Sequence, residues 1–540
     1  MKEFYTKKIE NKNLIINRYT DKFESTQPKF NAGGAVILSD SNQVCCLTHD
    51  VHTLVYGETG SMKTRRIGMS TLISLIKAGE SFMINDCKKE YYPLVSAELE
   101  AQGYKTFVID LRDAHVGNRY NPFDLAIKAY KQGDIARSDN VIKDVAKSVF
   151  AESLRNTKES YWSNVSSDYF EGLALLIRDY YNPDALTIEN IRILHDESKS
   201  FTFDRIIREL PKNSSCFAHL TSTTSLSAKE TKSCIHSNFT ENINIYLDEN
   251  IKDLMCVNEI DFSKISNHKT AIFLISTDEK TTYNSIISLF TKQIYESLVY
   301  EATKEENNKL NIRFNFFLDE FCNLPRIHDF NSMISAARSR NIRFFLFIQS
   351  YSQLMDHYGT NSAQNIFNNC AIKLYLKSSE TSFIKQYICE SSPMRELRYS
   401  HQLKSMFTID DVFSLSKEKG EVIVNLDGNM FKSKLKDISE IDYKIKKEYI
   451  PIQNRVYYKR DIINLNSISN NLNKLNNPSL EERALLVSKI ESLKSLKAVV
   501  ETKEKNNFIK EKNIKAINKE IDEIQLKIDE IDLMGGLDLW

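Results

Sequence analysis

The sequence contains no apolar run of the roughly 18 uncharged residues that a transmembrane helix needs. Its first 50 residues alternate charged and apolar positions, so neither a cleaved signal peptide nor an N-terminal membrane anchor is expected. It also has no C-x-x-C pair. Nine cysteines, an odd number, read as reduced thiols rather than as a disulfide frame or a zinc site. An excess of one charge is missing too. Lysine plus arginine (72) equals aspartate plus glutamate (72), so any contact with nucleic acid or membrane must be local. A soluble, cytoplasmic chain is expected. What is present is material for packed domains, 41% hydrophobic and 10% aromatic residues over 540 positions, which suits two or three folded units.

Short apolar runs bounded by turn signals predict strands at 53–56, 82–85, 106–109, 271–275, 314–318, 343–348, 371–376 and 421–425. Several are apolar on both faces, as strands buried between two helix layers must be. Alternation with helical stretches predicts an α/β fold built on a mainly parallel, doubly wound sheet. Residues 126–265 break that rhythm: they are helical and charged, and read as an all-α domain inserted between the two parts of the sheet, 1–125 and 266–450. Residues 451–478 read as a polar linker. In 479–534, Ile514, Ile517, Ile521, Ile524, Ile528 and Ile531 step by three and four, a coiled-coil seam. Asn506 and Asn507 leave one long helix or a helical hairpin open. The tail 535–540, ending in Trp540, is either a docking peptide or a frayed terminus.

The chemistry begins at Gly57-Glu58-Thr59-Gly60-Ser61-Met62-Lys63-Thr64, which follows the strand 53–56 and opens a helical segment. In such a P-loop the backbone N–H groups and the helix N-terminus bind phosphate, Lys63 reaches the β- and γ-phosphates of ATP, and the Thr64 hydroxyl binds Mg2+. The usual pattern has glycine where Met62 stands, so turnover depends on what methionine does there. The exchange suits phosphate binding if residue 62 takes right-handed helical angles. Strand 314–318 delivers Asp319 and Glu320 at its C-terminal end; the first can hold Mg2+ and the second polarise the attacking water. Gln349, after the strand 343–348, can sense the γ-phosphate. Arg338 and Arg340 lie between those two strands and could act from a neighbouring subunit. Lys229, Lys232 and Lys373 are exposed-looking candidates for DNA contact, although an ordinary solvated lysine is the stronger reading of each.

Together these residues resemble the type IV secretion coupling proteins, the TraG/TraD family of conjugative DNA-transfer ATPases, over roughly 31–443. The resemblance is carried by GETGSMKTRR, by Asp86, Lys88 and Glu90 in the place of a D-P-K-x-E pattern, by Asn121-Pro122-Phe123, and above all by FLDEFCNLPRIHDFNSMISAARSRNIRFFLFIQSYSQLMDHYG from Phe317 to Gly359. It implies a RecA-like P-loop motor with an inserted all-α domain that recognises the transferred substrate. It also implies ATP and Mg2+ as cofactors and a hexameric ring with nucleotide between subunits. The implied partner is DNA with a relaxase or other relaxosome protein. Three departures stand out: no membrane helices, Met62 for glycine, and Asn341 for glycine after Arg340. The first points to a shorter cytoplasmic form, either recruited by a separate membrane or channel subunit or working away from the membrane. A non-hydrolysing nucleotide-binding adaptor and a soluble DNA translocase in segregation or defence are the alternative functions.

Overall fold

Strand Ile342–Ile348 is buried at every position, and so is Phe314–Leu318, as strands covered by helices on both faces must be. They lie at the middle of a nine-stranded sheet in the computed structural model, which describes residues 20–113, 115–155, 160–224, 229–276, 283–392, 394–396, 403–476, 478–503 and 507–535. In chain order the strands are β1 (Thr20–Glu24), β2 (Val36–Ser39), β3 (Gln43–Leu47), β4 (Thr53–Tyr56), β5 (Ser81–Asn85), β6 (Lys105–Asp110) and β7 (Thr270–Ile275). There follow β8 (Phe314–Leu318), β9 (Ile342–Ile348), β10 (Ile372–Tyr375), β11 (Met394–Glu396), β12 (Leu403–Ser405), β13 (Glu421–Leu426) and β14 (Asn429–Lys434).

The large sheet runs β14-β13-β10-β4-β9-β8-β5-β7-β6. From β10 to β6 every pairing is parallel, whereas β13 and β14 add an antiparallel edge. All eight strands expected from sequence are in it. Three features were not expected: the edge strand β14, the antiparallel sheet β1-β3-β2 and the small hairpin β11-β12. In such a sheet, ligands bind beyond the carboxyl ends of the parallel strands.

One face is covered by α1 (Met69–Ala78), α2 (Tyr91–Ala101) and the three-stranded sheet, which share a core with Val55, Phe317 and Phe347. The other face shares its core with the insertion. Between β6 and β7 the described elements are helical, centred on α3 (Ser160–Tyr180) with α4 (Ser215–Thr224) packed beside it. Phe170, Leu173 and Leu176 of α3 are fully buried, in one continuous cluster with Leu54 and Met83 of the sheet. No described helix is long and apolar enough to cross a membrane.

The stretch 451–478 is not the polar linker that its composition suggests. Arg455 N–H donates to His115 O at 2.9 Å, Asn190 exchanges hydrogen bonds with Asp461 and Ile463, and α5 (Leu465–Asn476) buries Ile468 and Leu472 completely. The few apolar residues among the asparagines are spaced to face the insertion, so the segment straps it to the sheet domain. Beyond it, α6 (Pro478–Lys503) and α7 (Asn507–Gly535) pack on each other through Ile490, Ile524 and Ile528, with Lys489 3.4 Å from Glu520. That is a hairpin, not one long helix. Residues 536–540, including Trp540, lie outside the described residues.

Candidate nucleotide site

β4 ends at Tyr56 and the loop 57–62 turns beneath the carboxyl ends of β9 and β10: Gly57 N–H donates to Ile348 O at 3.2 Å and Glu58 N–H to Lys377 O at 3.1 Å. Gly57 fits there because a Cβ would meet the Ser61 hydroxyl at 2.8 Å and the Leu376 side chain at 2.9 Å. The helical turn Lys63–Gly68 follows and runs into α1. Lys63 is buried and its Nζ donates to Gly57 O at 2.6 Å and Glu58 O at 3.3 Å. Burial lowers its pKa, while Glu320 and Asp319 act to keep it charged.

Thr64 Oγ1 donates to Asp319 Oδ2 at 3.2 Å, although 255 positions separate them in the chain. The loop and the acidic pair therefore meet. Asp319 also accepts from the Tyr91 hydroxyl at 2.8 Å and from Glu320 N–H at 3.0 Å. Burial pushes its carboxyl up to about 6, and neighbouring Glu320 adds to the rise. A hydroxyl and a carboxylate side by side are the hard oxygen donors that suit Mg2+.

Glu320 sits at φ 52, a conformation that non-glycine residues adopt at a cost and that clusters at functional sites. Its Oε2 accepts from Gln349 Nε2, its Oε1 lies 3.7 Å from Lys88 Nζ, and Gln349 Oε1 accepts from Thr59 Oγ1 at 2.7 Å. A chain of side chains thus runs from Lys88 through Glu320 and Gln349 to the P-loop. Asp86 caps α2, accepting from the N–H groups of Glu90, Tyr91 and Tyr92 at 2.8, 3.1 and 3.0 Å.

Met62 does not take right-handed helical angles. It sits at φ 67, ψ 28, the left-handed region where a Cβ is strained, which explains why glycine suits the position. Asn341 also adopts φ 63, a conformation asparagine tolerates. Arg338 and Arg340 form a turn just before β9, at the opposite end of that strand from Gln349. Seven strand residues put roughly 20 Å between them and the loop, so they cannot serve this chain's own site. Lys373 is not exposed: its Nζ lies 4.6 Å over the Phe367 ring. Lys232 lines an open cleft of about 940 Å³ in the insertion, and the side chain of Lys229 lies outside the described residues.

Sequence reasoning missed Tyr91, which holds Asp319. Gly68 makes room for it, since a Cβ there would meet the Tyr91 hydroxyl at 2.4 Å, but no sequence signal points to that contact. The arginines after the loop also went unread: Arg65 pairs with Asp437 at 2.6 Å, and Arg66 donates to Leu435 O and Glu418 O. They anchor the start of the helix to the β14 edge.

A family model described as Type IV secretory system Conjugative DNA transfer matches residues 1–391. The type IV secretion system-coupling proteins VirD4 of Bartonella henselae and Bartonella quintana are 21% and 20% identical over 337 residues, 60% of this chain. The chain spans 50% of the length of each of these curated relatives. The unbound bacterial conjugative coupling protein TrwBdeltaN70 superposes with a TM-score of 0.58 at 14% identity, covering 80% of this chain and 96% of that one. Plasmid coupling protein TrwB with the ATP analogue ADPNP gives 0.56, and with ADP and Mg2+ 0.55, each at 14% identity over 81% of this chain and 96% of that one. These likenesses show the fold.

Proposed function

The chain belongs to the type IV secretory system family of conjugative DNA transfer, and from that membership we propose that it is an ATP-driven DNA motor of the coupling-protein kind. It takes a relaxase–DNA substrate and drives DNA transfer by hydrolysing ATP. The observation that carries this reading is the 3.2 Å contact between the Thr64 hydroxyl and the Asp319 carboxylate. TrwB, of similar fold, has been solved with an ATP analogue and with ADP and Mg2+.

In this reading the N–H groups of residues 57–64 and the following helix N-terminus cradle the phosphates. Lys63 exchanges its bonds to Gly57 O and Glu58 O for the β- and γ-phosphates. Thr64 and Asp319 hold Mg2+, which when bound neutralises charge on the phosphate oxygens. Glu320 polarises the attacking water, and Gln349 relays the state of the γ-phosphate between Thr59 and Glu320. Arg338 or Arg340 reaches the nucleotide of the next subunit in a ring, hexameric by family resemblance. The chain works in the cytoplasm and meets the membrane through a separate channel subunit. A DNA-stimulated ATPase assay, paired with sizing in nucleotide, tests it: DNA should raise phosphate release and nucleotide should favour the ring. Absent stimulation would remove the motor reading.

The strained Met62 favours a second reading, a nucleotide-binding adaptor without turnover. No phosphate release by the wild type, with recovery in Met62→Gly, would select it.

A further inference from the structure

We propose that Asp168 and Glu171 on α3 and His219 on α4 form a divalent-metal site that ties these two helices of the insertion together. Ligand atoms of the three side chains all lie within 4.8 Å of one another. Asp168 and Glu171 are three positions apart, hence on one face of α3. Gly172 lets α4 approach that face closely: a Cβ there would meet His219 Cβ and the Leu220 side chain at 3.0 Å. The imidazole is thereby laid against the two carboxylates.

Glu171 supplies an independent observation. Its side chain is 9% exposed, and His219 Nε2 stands 3.5 Å from its Oε1, beyond ordinary hydrogen-bond distance. Lys143 acts on it from farther away. A carboxylate buried so deeply is costly unless a cation pairs with it, and a metal ion held with His219 would supply one. The spacing suits a shared ion: two ligands of a tetrahedral metal at about 2.1 Å stand about 3.4 Å apart. Asp168 is exposed, so it can rotate into the third position and leave the fourth to water. The nearby Cys216 thiol is engaged with Gly172 O at 3.6 Å. The donors are then one imidazole and two carboxylates, which take Zn2+ or Mn2+.

The test uses the full chain, stripped with EDTA and free of nucleotide, titrated calorimetrically with Zn2+ and separately with Mn2+. One equivalent should bind with micromolar or tighter affinity and raise the thermal unfolding midpoint. Asp168→Asn, a surface change that leaves the fold intact, and His219→Gln should each weaken binding at least about tenfold. Absent binding by the wild type, or affinity unchanged in both variants, would overturn the proposal. Bound Co2+ should show no thiolate charge-transfer band; such a band would move the metal to the cysteines and equally overturn it.

Discussion

The two ends of the central sheet both bury charge, and they do so in opposite ways. At the amino ends of the strands, Arg343 is 1% exposed and its guanidinium is filled: Glu80 Oε2 at 2.6 Å, Asn315 Oδ1 at 2.9 Å, and the carbonyls of Gly33, Leu47 and His49 at 3.0 to 3.3 Å. Glu80 is filled in turn by Arg313, Asn315 and Gly33 N–H, each at 3.0 Å. At the carboxyl ends, Lys63, Glu320 and Gln349 are held by side chains and loop carbonyls that a ligand can replace, and Met62 and Glu320 carry positive φ. A closed network pins the three-stranded sheet to the large one. An exchangeable one, carrying strain, marks the site.

The contrast breaks most readily at Arg343. Arg343→Ala leaves Glu80 and its partners short of a buried cation, and should cost about 3–5 kcal/mol in denaturant unfolding. Lys63→Ala should change stability by no more than about 1 kcal/mol, yet remove most nucleotide affinity in a fluorescent-analogue titration. Comparable stability losses from the two would erase the distinction. Glu320→Gln should keep nucleotide binding while phosphate release falls at least about 100-fold. A wild-type rate in that variant would take the water-polarising role from Glu320.

The closed end also predicts an acid sensitivity. His52 is buried with both ring nitrogens used, Nδ1 accepting from Phe344 N–H at 3.0 Å and Nε2–H donating to Ile334 O at 2.8 Å. Burial lowers its pKa from 6.5 to about 4. The unfolded chain therefore takes up the proton first, and stability is lost as pH falls from 6.5 towards 4. The total is on the order of 3 kcal/mol from this residue. Unfolding measured at pH 7 and pH 5 should differ, and His52→Gln should shrink the difference.

The sheet was legible because its strands are apolar on both faces, and such runs stand out among charged helices. β1 to β3 did not stand out: β1, TDKFE, has a single apolar residue, and the apolar runs of β2 and β3, VIL and VCCL, are only three and four residues long. The strap at 451–478 was obscured by asparagine and lysine, which say nothing of Ile468 and Leu472 turned inward. In the candidate site, the residues proposed to touch phosphate or Mg2+ stand in motifs that the sequence displays. Tyr91 could not, because nothing in a helical run announces that one tyrosine crosses to a carboxylate 228 positions away. The hand of the backbone at residue 62 was equally out of reach, because side-chain identity constrains φ only statistically.

That hand permits the finest comparison of the two ends. Met62 at φ 67 and Asn341 at φ 63 both occupy left-handed backbone, and both stand where the family pattern has glycine. For Met62 the conformation costs about 1–2 kcal/mol, partly offset in a glycine variant by about 0.5–1 kcal/mol of extra unfolded-state entropy. Met62→Gly should therefore stabilise by roughly 0.5–1 kcal/mol. Asn341 tolerates its conformation and its side chain is engaged, accepting from Arg313 Nε at 3.1 Å and donating to Leu310 O at 2.9 Å. Asn341→Gly loses both bonds and should destabilise by about 1 kcal/mol. Opposite signs at one backbone geometry would locate the uncompensated strain at the P-loop; equal signs would mean that the loop holds Met62 through contacts as firm as those of Asn341.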